Sequence, residues 1–120
     1  KLCNMNEDKR KMAEGVPEWL IVTLDSEHEL DEKLGLEDHA ATAAAIHSFM
    51  LSLAREGIAS KWMTGALGVG PDVVKKVVGA PEQEHFMGAV WFGYPAEPLS
   101  EDSKKPKRKK DITEVVKNLP

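Results

Sequence analysis

A chain of 120 residues, 42% hydrophobic and 30% charged, has the size of one domain or part of one and can bury a real core. Its 16 basic and 20 acidic residues give a net charge of −4, which argues against a general nucleic-acid binder. Cys3 is the single cysteine, so no disulfide can close within the chain, in keeping with a reducing compartment such as the cytoplasm, and no apolar run approaches the ~18 residues of a membrane helix.

Residues 1–13 are polar, with Leu2, Met5 and Met12 as sparse apolar positions. They read as the end of a helix stopped by Gly15-Val16-Pro17. Residues 19–24, Trp-Leu-Ile-Val-Thr-Leu, are apolar and β-branched, the pattern of a strand buried on both faces. Residues 25–36 are acidic and irregular and read as a surface loop, without a calcium-loop pattern. Residues 37–56 predict the dominant helix. Ala40, Ala41, Ala43, Ala44, Ala45, Ile46, Phe49, Met50, Leu51, Leu53 and Ala54 cover nearly every face of it. A helix apolar all round belongs in a core or a subunit interface, and its alanines let another helix come close. It therefore reads as a dimerisation helix. Glu37 and Asp38 near its start and Arg55 near its end suit the helix dipole, and Gly57 is placed to cap it.

Residues 60–63 predict a short extended segment. Residues 71–78 predict a short helix with Pro71 in the first turn, ended by Gly79-Ala80-Pro81. Residues 86–94 predict a second buried strand, in which Gly88 implies close packing against another backbone or a ligand. Residues 95–110 form a Pro- and charge-rich arm with little core potential. Asp111-Ile112-Thr113-Glu114 has capping-box spacing and opens a last short helix anchored by Val115 and Val116. There are no internal repeats. Two strands and one dominant helix do not close a domain, so further strands are expected from an upstream segment or a partner subunit. The chain starts at Lys1 rather than Met, so its true N-terminus is expected to be missing or processed.

The side chains carry little chemistry of their own. His39 and His47 share a helix face but lie ~12 Å apart at 1.5 Å per residue, too far for one metal ion. With His28 and His85 they match no zinc spacing, so surface or cap histidines are expected and no metal. There is no Gly-x-Ser-x-Gly elbow, and Cys3 has neither a helix start nor a nearby His to activate it. Glu27, Glu29, Asp31 and Glu32 read as a solvated loop rather than an acid/base set. Gly65-Ala66-Leu67-Gly68-Val69-Gly70-Pro71 precedes a helix and has the form of a phosphate loop, but it lacks Walker and dinucleotide spacing. A plain helix-entry loop is the simpler reading. Six of the 16 basic residues fall between Lys104 and Lys110, leaving 10 basic against 20 acidic elsewhere. That run reads as a nuclear import signal, a solvated tail or a phosphate grip.

These pieces stand in a telling order. Pro17-Glu18-Trp19-Leu20-Ile21-Val22 comes first. The Ala-rich helix, with Glu37 near its start, follows and runs into Gly57-Ile58-Ala59-Ser60-Lys61-Trp62-Met63-Thr64-Gly65-Ala66. Then come Val73-Val74 to Val77-Val78-Gly79, the strand from Gly88 to Gly93-Tyr94-Pro95, and a basic arm ending in Glu114-Val115-Val116. From Pro17 to Val116 the chain resembles the nitroreductase family of FMN-dependent oxidoreductases.

The resemblance implies an α+β, nitroreductase-like fold. That fold has a central, mostly antiparallel sheet, flanking helices and a long buried dimerisation helix. It would be incomplete here, with residues 1–120 the C-terminal portion of one domain and 95–120 an extended basic arm. The resemblance also implies a homodimer with two FMN molecules at the subunit interface. Hydride would pass from NAD(P)H to the flavin, and then to a small-molecule acceptor such as a nitroaromatic or quinone, with the protein orienting and tuning the cofactor. Position by position, Trp62, Met63 and Thr64 would lie along the flavin, mostly through backbone atoms, and Gly65 would permit close approach. Lys107 and Lys109 fall where family members place a Lys and an Arg against the FMN phosphate, with Arg108 between them. Residues 52–57 would lie near the nicotinamide. The family's N-terminal Arg-Arg-Ser-type motif does not occur in these residues. No side chain stands out as a catalytic acid or base; protons would come from solvent or Thr64. The other function class is a non-catalytic dimerising module of the same fold, without flavin, using the basic run as a docking tail.

Overall fold

The computed structural model describes residues 7–29, 31–65, 70–97 and 110–116. Its elements in chain order are α1 (Glu7–Glu14), β1 (Glu18–Leu24), α2 (Lys33–Arg55), β2 (Ala59–Met63), α3 (Pro71–Val78), β3 (His85–Gly93) and α4 (Ile112–Val115). The longest strand, β3, takes the middle of a three-stranded antiparallel sheet in the order β1-β3-β2. Its uninterrupted apolar run fits that place, because a central strand is covered on both faces. Ala89 and Val90 are fully buried and Trp91 nearly so.

Cross-strand partners share a face, so the register sorts the side chains into layers. Trp91 is flanked by Trp19 and Lys61, and Ala89 by Ile21 and Met63. On this face Met63, Ala89 and Trp91 join Ala13 of α1 and Val74 of α3 in the main core, with Val16, Trp19, Ile21 and Phe86 packed against it. The other face carries Val90 and Phe92 and lies under α2, which touches all three strands. There Phe49 meets Phe92 edge-on, with ring centroids 5.6 Å apart. Helices thus cover both faces of an antiparallel sheet, the α+β arrangement the sequence implied.

Two expectations need correction. β1 is not buried on both faces. Among the described residues it is an edge strand, with Glu18 exposed and Leu20 37% exposed. And α2 begins at Lys33, inside the stretch read as loop. Its first turn has no side-chain cap and contains Gly35, a poor helix former, so local propensity hides it. Contacts hold it instead. Ser26 Oγ donates to Asp38 Oδ2 at 2.7 Å, and the Leu36 amide donates to the Glu32 carbonyl at 3.0 Å.

Within one chain helix α2 is covered on one side only. Ile46 faces inward, while Ala40, Ala41, Ala44, Ala45, Ser48 and Leu51 form an open face of small residues on the far side. Its C-terminus closes as expected. Gly57 adopts φ 73°, the Ile58 amide donates to the Leu53 carbonyl at 3.0 Å, and the Gly57 amide to Ala54 at 3.1 Å. That pair of bonds is a Schellman motif, and it turns the chain directly into β2.

Candidate functional site

The segment expected along a flavin, Trp62-Met63-Thr64-Gly65, is the end of β2 and the residues just beyond it. Among the described residues β2 pairs only with β3, so alternate backbone N–H and C=O groups on its outer side are not used by the ladder. Met63 is 5% exposed and sits in the core opposite Ala89. It anchors the strand end from one face.

Trp62 anchors it from the other. Its indole Nε1–H donates to the Met87 carbonyl at 3.1 Å. The acceptor is available because β3 bulges there: Val22 pairs with Gly88 and Thr23 with Phe86, so Met87 has no partner on β1. Gly88 makes the arrangement possible. Its φ is 131°, and a Cβ there would overlap the Trp62 indole and come within 2.8 Å of the Met63 carbonyl oxygen. The close approach that the sequence implied at Gly88 is thus to the backbone and indole of β2.

With both side chains committed to the protein, what remains for a ligand is backbone. Thr64 and Gly65 emerge exposed beyond the last paired residue. A Cβ on Gly65 would meet nothing within 4 Å among the described residues. Held from both faces, this strand end presents fixed amides and carbonyls, which is what hydrogen bonding to the edge of a flat heterocycle requires. Trp62 to Gly65 therefore offer a ligand backbone groups at the end of β2.

Residues 52–57 close α2 and lead into the start of β2. Lys107, Arg108 and Lys109 lie outside the described residues, as do positions 66–69 of the glycine-rich loop. Past the arm, the capping box forms as its spacing implied. The Thr113 hydroxyl and amide donate to Asp111 Oδ1 at 2.6 and 2.9 Å, and the Asp111 amide donates to Glu114 Oε1 at 3.2 Å. The Thr113 hydroxyl, then its amide, hold the Asp111 carboxyl below its ordinary pKa.

Sequence spacing put His39 and His47 on one helix face but too far apart to share a metal ion, and the fold sets His39 beside His85. The His39 and His85 rings are 5.6 Å apart, and His39 Nδ1 lies 2.9 Å from the Gly35 carbonyl oxygen. The contact crosses from α2 to β3, and no local spacing encodes it. No group of three His, Cys, Asp or Glu side chains among the described residues is placed to hold a metal ion. No helix among them is long and apolar enough to cross a membrane.

A family model described as the nitroreductase family matches residues 4–94. The chain belongs to the nitroreductase family. Its fold is similar to the crystal structure of a nitroreductase-like family protein from Bacillus cereus, with a TM-score of 0.68 and 21% sequence identity. That alignment covers 98% of this nitroreductase-family chain and 63% of the other, so the chain spans less than two thirds of that protein's length. At this identity the likeness speaks to the fold alone. Membership of the nitroreductase family suggests flavin-dependent oxidoreduction in general.

Proposed function

We propose that the chain belongs to an FMN-dependent oxidoreductase that moves reducing equivalents from NAD(P)H to a nitroaromatic, quinone or similar acceptor. We read residues 1–120 as the C-terminal portion of its domain, with 95–120 as the basic arm. FMN, when bound, supplies the redox chemistry. The observation that carries the reading is the braced end of β2. Met63 is fixed in the core and Trp62 to Met87, and the exposed Thr64–Gly65 backbone follows directly.

In this reading Trp62, Met63, Thr64 and Gly65 orient the isoalloxazine through backbone N–H and C=O groups. Thr64 offers a hydroxyl from which a proton can reach the ring edge. Lys107, Arg108 and Lys109 give charge-assisted hydrogen bonds to the phosphate. The open face of α2, with Ala40, Ala44 and Ser48 at its centre, packs against a second copy to give a homodimer.

The test is an FMN titration of the chain, followed by quenching of flavin fluorescence at fixed ionic strength. Saturable binding is expected, and NAD(P)H oxidation with a quinone acceptor is then assayed. Absence of saturable quenching by a folded chain would sink the flavin role of these residues and favour a flavin-free dimerising module.

A further inference from the structure

The contact between His39 and His85 joins α2 to the sheet where the helix is least secured. The first turn of α2 has no side-chain cap, and Gly35 within it is a poor helix former. Two features bring the histidines together. A Cβ at Gly35 would run into the Glu29 carbonyl, so glycine lets the start of α2 settle onto the preceding loop. The β3 bulge supplies the other. Val22 pairs with Gly88 and Leu24 with His85, so the extra residue puts His85 on the face of Gly88, Val90 and Phe92, under α2. Without the bulge, strand alternation would turn His85 to the opposite face, with Ala89 and Trp91.

The hydrogen bond to Gly35 fixes the tautomer of His39. Its Nδ1 lies 2.9 Å from the Gly35 carbonyl oxygen, and a carbonyl only accepts. Nδ1 therefore carries the proton, and the lone pair of the neutral ring sits on Nε2. One ring nitrogen bonded to a backbone carbonyl, with the other keeping its lone pair, is the arrangement of a metal-bound histidine. The spacing of the two rings fits as well. An imidazole nitrogen holds a zinc-like ion at about 2.1 Å, so two rings sharing one tetrahedral ion have centroids roughly 5 Å apart. The His39 and His85 centroids are 5.6 Å apart, and the rings are tilted by 54° rather than stacked. Among the described residues no other hydrogen bond engages either ring, and the one sealed side-chain nitrogen without a partner is Trp91 Nε1. Water therefore reaches the remaining nitrogens of both half-buried histidines.

We propose that His39 and His85 together bind a divalent transition ion of the zinc, copper or nickel kind, which clamps the start of α2 to β3. Imidazole is a preferred ligand of these ions. The local charge also favours a cation. Leu24, the cross-strand partner of His85, leads straight into residues 25–32, which carry five acidic side chains and no Lys or Arg. No third His, Cys, Asp or Glu among the described residues completes a metal-binding group, so water fills the other coordination positions. Binding is accordingly weaker than at a closed four-ligand site.

Zn²⁺ is the probe, and the readout is the imidazole ¹⁵N NMR signals of the whole chain at neutral pH. The four histidines give separate ring signals. Zn²⁺ shifts those of His39 and His85 together and saturably, at one ion per chain, and raises the urea midpoint. His39→Gln and His85→Gln each weaken Zn²⁺ by about tenfold or more, whereas His28→Gln and His47→Gln leave it unchanged. Mg²⁺, which prefers oxygen ligands, leaves both rings unmoved. His39 and His85 signals that stay in place at saturating Zn²⁺ in the folded wild type overturn the site. Signals that move for only one of the two, or Zn²⁺ held as tightly after either substitution, overturn the shared ion.

Discussion

The Trp62 indole N–H donates to the Met87 carbonyl at 3.1 Å, tying the edge strand β2 to the residue that the β3 bulge leaves without a partner on β1. The bond spans 25 positions of sequence. It joins three features that are ordinary alone: a tryptophan at a strand end, a bulge, and a glycine with positive φ. Together they fix the direction in which the chain leaves the sheet at Thr64.

Trp62→Phe removes the donor, keeps most of the ring and leaves the Met87 carbonyl unsatisfied. A loss of about 1–3 kcal/mol is expected in urea unfolding. Gly88→Ala is worse, because it strains a φ of 131° and drives a methyl into both the indole and the Met63 carbonyl. It is expected to exceed ~3 kcal/mol and to lower soluble yield. Equal midpoints for Gly88→Ala and wild type would show that β2 and β3 do not pack closely at Gly88.

Where a signal is local, the sequence was legible. Pro71 and Gly79 bracket α3 at the expected residues, Gly57 ends α2, and Asp111 with Glu114 caps α4. Where a feature depends on distant pairing, it was not. The exposure of Leu20 follows from β1 being an edge, which strand order decides. The first turn of α2 is held by the Ser26–Asp38 hydrogen bond against the propensity of Gly35. Of the candidate site, the segment Trp62 to Gly65 could be picked out by resemblance. The brace behind it, through Met87 and Gly88, needed the register of β3.

Lys75 is a second brace. Its side chain is 11% exposed, yet its Nζ donates to the carbonyls of Glu82 at 2.7 Å and Glu84 at 2.9 Å, with Asp72 at 3.4 Å. Lys75→Met keeps the aliphatic stem and removes the donors. A loss of about 2–3 kcal/mol in urea unfolding is expected. Asp72 is 93% exposed, so Asp72→Asn should change stability by less than ~0.5 kcal/mol. Comparable losses from the two variants would mean that the ion pair, not the carbonyl bonds, holds the turn before β3.

Asp111 gives a pH signature. Its folded pKa lies below 3.8 because of the Thr113 bonds. A depressed carboxyl pKa contributes stability that is complete above the unfolded value and is lost as pH falls through the folded value. The cap on α4 should therefore persist through neutral and mildly acidic solution and open in strong acid. The Thr113 amide resonance should titrate with a midpoint below 3.8, and Asp111→Ala should abolish that titration. A midpoint above 3.8 would show that the capping box does not form in solution.

The basic arm makes a prediction about salt. If Lys107 and Arg108 pair with the FMN phosphate, replacing both with Ala weakens FMN by roughly tenfold or more and flattens the dependence of affinity on ionic strength. Affinity unchanged in the double variant would remove the arm from the phosphate site and leave docking or solvation as its role.

The open face of α2 is the sharpest test of assembly. Ala44 is exposed in the single chain, with Ala40 and Ser48 one turn away on either side and Ala41 and Ala45 beside them. Arg at position 44 has room in an isolated chain and is a good helix former, so the fold should be unaffected. In a close helix–helix contact the same side chain has no space and brings an unpaired charge into a desolvated interface. Ala44→Arg is thus expected to leave far-UV circular dichroism unchanged and to convert dimer to monomer in sedimentation velocity. A dimer that survives Ala44→Arg would place the interface elsewhere, and a wild-type chain monomeric at every concentration would end the homodimer reading for this chain.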